Sequence, residues 1–108
     1  MGAPFLEIST DEHQVSKEFF AAVFGWNWSD ADRGRFETAD GPVGLHGGDV
    51  PMVVPYFRVA NVQAVVERVK EQGGRVVGGI RREAGVGSFA VCIDPRGVRF
   101  GLHRPEQP

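Results

Sequence analysis

Glu7, His46 and His103 carry the donor types of a catalytic zinc set, one carboxylate and two imidazoles. Imidazole is the commonest transition-metal ligand, and three protein donors leave a coordination position open for substrate oxygens. Nothing in the spacing makes the three converge. The opposing reading puts His103 at the end of the last strand, His46 beside a glycine loop, and Glu7 in an ion pair with Arg58 or Arg99. The expectation is therefore no metal, with Glu7, His46 and His103 as the displaced alternative for a divalent ion such as Zn, Ni, Mn or Fe.

Arg58 and Arg99 stand in the middle of strand-like runs. A guanidinium shielded from water is costly unless a carboxylate or an anionic ligand meets it. One inward acid, Glu7, faces two arginines. An oxygen-rich or anionic small molecule held by bidentate arginine contacts is thus weighed against internal Arg–Glu pairing. Phe5 and Tyr56 add ring surface, and Tyr56 joins an apolar ring to a hydroxyl. Trp26 and Trp28 read as core or interface. Cys92 has the same strand parity as the candidates, but no His lies near it in sequence, so an inert buried thiol is expected. The candidate ligand-binding set is Phe5, Glu7, His46, Tyr56, Arg58, Arg99 and His103, and no catalytic residue is assigned.

The elements that must position these residues follow from periodicity. Residues 5–9 alternate as a strand, with Phe5, Glu7 and Ser9 on one face. Thr10 or Asp11 is expected to cap a helix whose Val15, Phe19, Ala22 and Val23 form an apolar stripe facing a sheet, and Gly25 stops it. Short strands are expected near residues 26–29, 35–38 and 42–46. After a glycine-rich crossover at 47–51 the plan returns. A strand spans 55–59, and Asn61 caps a helix marked by Val62, Val65, Val66 and Val69. Gly73 and Gly74 follow it, and three strands lie near 75–78, 88–93 and 98–103. Arg81, Arg82 and Glu83 read as loop. Asp94-Pro95-Arg96-Gly97 has turn chemistry, and the flanking alternation groups Val91 and Ile93 with Val98, Phe100 and Leu102. Arg99, Gly101 and His103 then share the other face with Ala90 and Cys92.

The result is an internal repeat of β-α-β-β-β. The fold expected is α+β: two tandem βαβββ modules, about 4–47 and 54–104 of a single 1–108 domain, forming a curved eight-stranded mixed sheet around a trough with both helices outside. The 108 residues suffice for one sizeable core. A net charge of −2 leaves no basic footprint for nucleic acid. One cysteine excludes an intrachain disulfide framework and fits a reducing compartment. No apolar run approaches the ~20 residues of a membrane helix, and residues 1–4 lack a signal-peptide n-region, so a cytoplasmic protein is expected.

Phe19-Phe20 with Phe24-Gly25-Trp26, then Tyr56-Phe57-Arg58-Val59, Gly73-Gly74 and Asp94-Pro95-Arg96-Gly97 resemble, in order and spacing, the vicinal oxygen chelate superfamily. That superfamily includes glyoxalase I, bleomycin-resistance proteins and extradiol dioxygenases. The resemblance covers roughly residues 4 to 104 and implies the glyoxalase/bleomycin-resistance fold. It also implies four inward metal ligands, usually His or Glu. Carried over, these fall on Phe5, on Tyr56, on Gly101, and on Gly44 or His46, where at most one usual donor type survives.

The function this implies is a small-molecule-binding protein lacking the usual metal site and taking a polar or aromatic compound in the trough. The alternative is a lyase, isomerase or dioxygenase using the displaced Glu/His site, or arginine-stabilised proton transfer with Glu7 as base. A purely structural or regulatory interaction domain is the third reading. A homodimer is expected, with no nucleic-acid or membrane partner.

Overall fold

The computed structural model describes residues 5–30 and 34–106; residues 1–4, on which the signal-peptide reading rested, lie outside them. The chain divides into two compact units, Met1–Val54 and Pro55–Pro108. The expected βαβββ plan is found in tandem across the chain.

The first unit contains β1 (Phe5–Ser9), α1 (His13–Phe24), β2 (Asn27–Ser29), β3 (Arg35–Thr38) and β4 (Gly41–His46). β2 pairs antiparallel with β3 and β3 with β4, while β4 pairs parallel with β1. The core is aromatic. Ile8, Phe36, Val43 and Leu45 are buried, and Phe20, Ala21, Trp26 and Trp28 pack on them. Phe36 is wholly buried, with the Trp26 and Trp28 rings 5.4 and 5.1 Å away. Both tryptophans are therefore partly buried residues packed against the core of this unit.

α1 departs from expectation at its start and on its packing face. Neither Thr10 nor Asp11 is the cap. Glu12 holds that position without a side-chain bond, and the Glu12 N–H donates to Thr10 Oγ1. The predicted stripe points to solvent, with Val15, Phe19 and Val23 each more than half exposed. Phe20 and Ala21 face the core instead, a rotation of roughly 100° from Phe19 to Phe20. The cause lies beyond the helix. After Gly25, in the left-handed conformation at φ 70°, the Trp26 ring stacks on Phe24 at 4.7 Å and on Phe20 at 6.1 Å, drawing that edge inward.

The second unit holds most of β5 (Met52–Arg58), then α2 (Val62–Glu71), β6 (Arg75–Glu83), β7 (Gly87–Ile93) and β8 (Arg99–Pro105). β5 pairs parallel with β8, β8 antiparallel with β7, and β7 antiparallel with β6. Asn61 caps α2 as expected, its side chain accepting from the Ala64 N–H at 3.0 Å. Val62 and Val66 are buried against Ala90, Cys92 and Leu102. Arg81, Arg82 and Glu83 belong to β6 rather than to a loop. The strand passes through Gly78 and Gly79, both at positive φ, with a register shift between Val77 and Arg81. Such a bulge carries an edge strand past the point where an even pattern ends.

The 94–98 turn forms as expected, and Asp94 Oδ1 accepts from the N–H groups of Arg96 and Val98. The faces of β7 are the reverse of the prediction. Ile93 pairs with Arg99, Val91 with Gly101 and Phe89 with His103, so odd residues share a face across the hairpin. Five residues separate Ile93 from Arg99, and an odd count keeps the parity that a four-residue turn would invert. Cys92 consequently lies on the α2 side, wholly buried, and burial pushes its thiol pKa up.

Phe36→Ala empties the centre of the first unit's aromatic cluster and is expected to cost about 3–5 kcal/mol. A denaturant midpoint consistent with less than about 1 kcal/mol would show that Phe36 is not the keystone.

Candidate functional site

In each unit the strands have one face covered by the unit's helix and one face turned away, here called its open face. Side chains alternate along a strand and paired residues share a side, so register alone assigns the open faces.

In the first unit the open face carries Phe5, Glu7 and Ser9 of β1, Pro42, Gly44 and His46 of β4, and Arg35 and Glu37 of β3. Glu7, Gly44 and Arg35 form one row. Gly44 is there because Glu7 needs its space: a Cβ at Gly44 would collide with the Glu7 carboxylate. That carboxylate, expected beside Arg58 or Arg99, has its partner within its own unit. It accepts from His46 Nδ1, 2.8 Å from Oε1, with the Glu7 side chain 23% and the His46 side chain 48% exposed. Donating through Nδ1 leaves Nε2 facing Asp49 Oδ2 at 3.5 Å. Arg35 pairs with Glu37 at 2.8 Å. The sequence reading placed Arg35 on a strand but not in the site, because only pairing with Gly44 puts it beside Glu7.

In the second unit the open face carries Tyr56 and Arg58 of β5, Arg99, Gly101 and His103 of β8, Phe89, Val91 and Ile93 of β7, and Val77 and Arg81 of β6. All four predicted site residues of this unit, Tyr56, Arg58, Arg99 and His103, are thus on one side of its sheet. Phe89, Val91 and Arg81 were missed, the first two because the β7 faces were inverted and the third because β6 ended too early. The Tyr56 ring lies where a Gly101 side chain would go, and it meets Phe89 edge-on at 6.3 Å. His103 Nε2 is 2.8 Å from the Val86 carbonyl. A carbonyl only accepts, so Nε2 carries the proton and donates.

Register also equates the two units. Glu7 pairs with Gly44 as Tyr56 pairs with Gly101, and Ser9 with His46 as Arg58 with His103. The counterpart of Tyr56 is therefore Glu7, not Phe5, and the counterpart of Gly101 is Gly44, not His46. The four equivalent positions offer one carboxylate, one phenol and two glycines without donors. That set does not fit a divalent ion requiring several N or O ligands. His46 and His103, two residues farther along, each commit one ring nitrogen to a protein partner, His46 Nδ1 to Glu7 and His103 Nε2 to the Val86 carbonyl. Among the described residues, no group of three or more His, Cys, Asp or Glu side chains is arranged to hold a metal ion.

A cleft of about 510 Å³ lies between α2 and β6, with Gln63, Val66, Lys70 and Ile80 in its lining, and no candidate residue contributes to it. It lies on the α2 side of β6, away from the candidate residues. No helix among the described residues is long and apolar enough to cross a membrane.

No protein-family profile matches the chain. It is similar to the mycobacterial protein CFP32, named a glyoxylase, from Mycobacterium bovis and Mycobacterium tuberculosis, at 26% identity over 117 residues. That match takes in 94% of this chain and 45% of the relative, so the chain spans about half the length of these relatives. Its fold is that of methylmalonyl-CoA epimerase from Mycobacterium tuberculosis, with TM-score 0.67 and 17% identity, covering 98% of this chain and 89% of that one. It is also that of homoprotocatechuate 2,3-dioxygenase from Arthrobacter globiformis, with TM-score 0.70 and 22% identity, covering 99% of this chain and 37% of the other.

The contact between Gly101 and Tyr56 can be isolated. Gly101→Ala is expected to cost about 1–3 kcal/mol in the natural background and clearly less in a Tyr56→Ala background. Equal costs in both backgrounds would show that the ring does not occupy that space.

Proposed function

We propose that the chain is a member of the vicinal oxygen chelate superfamily, a reading that its similarity to CFP32 and its fold support, and that it is a metal-independent small-molecule-binding protein that takes a polar or aromatic compound on its open sheet faces. The observation that carries this reading is the grouping of Tyr56, Arg58, Arg99 and His103 on one face around Gly101. A ring seated on a glycine, with guanidinium and imidazole groups on the same face, provides the mixture of apolar surface and polar donors that small-molecule sites use. Glu7, expected to neutralise an arginine, is engaged by His46. That leaves Arg58 and Arg99 without the internal partner on which the competing explanation depended. Phe5, Glu7 and His46 supply the corresponding polar and aromatic surface of the first unit.

The protein acts as a homodimer in the cytoplasm. The dimer is supported by the apolar face of α1, where Val15, Phe19 and Val23 lie open together and a second copy would remove them from water.

A second reading is an enzyme, and one observation favours it. Glu7 fixes the tautomer of His46 by accepting from Nδ1, as a carboxylate does for a general base. In that reading His46 Nε2 accepts a proton and Arg35, in the row of Glu7, supports the developing charge.

Thermal melts against a panel of oxygenated aromatic compounds, with native mass spectrometry of freshly purified protein, test the proposal. A binder at tenfold excess over its Kd is expected to raise Tm by about 5 °C. The rise should vanish in Tyr56→Ala, and native spectra should show a dimer without a stoichiometric ion. One divalent ion per chain after incubation with Zn, Ni, Mn and Fe, or turnover of a panel member, would overturn the binding-only reading in favour of the enzyme.

A further inference from the structure

We infer that the open face of the second unit is built for an aromatic dicarboxylate, a flat body with an acid group at each end; this deepens the reading of that face as a ligand site and rests on it. The middle row of the face is Tyr56, Gly101, Val91 and Val77. The Tyr56 ring covers Gly101, filling the space that a side chain there would take. Val91, together with Phe89 edge-on to Tyr56, completes an apolar floor.

The charges lie to either side of this row. Arg58 stands two residues beyond Tyr56 on β5, in the row of His103 and Phe89. Arg99 stands two residues before Gly101 on β8, in the row of Ile93. The parallel pairing of β5 with β8 makes these opposite directions along the sheet. At about 3.3 Å per residue, the backbone of each arginine lies roughly 6.6 Å from the middle row. A ring resting on Tyr56 and Val91 in the middle row therefore has one arginine of the sheet on either side of it along the strands, with apolar contacts beneath.

Three further observations set the sign and the number of charges. Beyond the backbone pairing of their strands, the side chains of Arg58 and Arg99 make no hydrogen bond or ion pair among the described residues. The acid that register places on this face, Glu83, is at the far end of β6 opposite Gly87. Arg81, opposite Phe89, adds a third cation at the edge. A neutral aromatic would gain ring contact alone, and a monocarboxylate would engage one arginine and leave the other. A dicarboxylate engages both through charge-assisted bidentate bonds, so its spacing as well as its charge is selected.

Isothermal titration of the intact chain with terephthalate, benzoate and terephthalamide tests this. Terephthalate is expected to bind about tenfold tighter than benzoate, and benzoate tighter than terephthalamide, because a hydrogen bond to a charged group is worth about one factor of ten in affinity. Arg58→Gln and Arg99→Gln should each bring terephthalate down to the affinity of benzoate while leaving the melting temperature within a few degrees of the natural protein. Equal binding of the three compounds overturns the charge assignment but leaves the face a ligand site. Terephthalate binding that neither substitution weakens overturns the placement. Absence of binding by all three overturns the inference. The Tyr56-dependent response to neutral aromatics then separates this failure from failure of the broader reading.

Discussion

The five-residue turn between Ile93 and Arg99 fixes which side of the second unit is oily and which is chemical. Its geometry is held from within: the Asp94 N–H donates to the Val98 carbonyl at 2.9 Å, and the Asp94 carboxylate accepts from two backbone N–H groups. The odd count puts Ala90, Cys92 and Leu102 against α2 and leaves Val91, Gly101 and His103 on the opposite side. A slip by one residue would exchange the two sets. It would turn a core of small and branched residues out to water and press Arg99 and His103 against Val62 and Val66. The burial of the α2 contacts therefore enforces the same register that assembles the open face.

Both units solve the open face with a glycine. In the first, the room left by Gly44 is taken by a carboxylate that orients an imidazole; in the second, the room left by Gly101 is taken by a phenol ring. The equivalent positions have thus diverged in chemistry while keeping the backbone. An acid and imidazole suit proton traffic, whereas a ring flanked by guanidinium groups suits recognition. The architecture is shared with an epimerase and a dioxygenase, and such a fold does not itself choose between these uses.

Much of this was legible from residue order. The repeat, the eight strands, both helices, the Asn61 cap and the Asp94 turn all follow from local patterns that no tertiary contact reverses. The errors arose where a distant partner decides. The α1 stripe of Val15, Phe19 and Val23 has sound periodicity, but the Trp26 ring beyond Gly25 selects the Phe20 side. The β7 faces depend on a turn length that differs by one residue from the simplest hairpin. Arg81 was lost because two glycines read as an ending when they form a bulge. Glu7 found His46 rather than an arginine because parallel pairing of β1 with β4 brings residues 39 apart to 2.8 Å. No spacing rule in the sequence contains that distance.

The central claim is that ligand recognition in the second unit belongs to the face opposite α2. Amide chemical-shift mapping of the labelled protein during titration with an aromatic carboxylate addresses it directly. The account predicts shifts concentrated at Tyr56, Arg58, Val91, Arg99 and Gly101, with Gln63, Val66 and Lys70 of α2 unmoved. Shifts centred on the α2 and β6 groove, with Gly101 and Val91 silent, would contradict it.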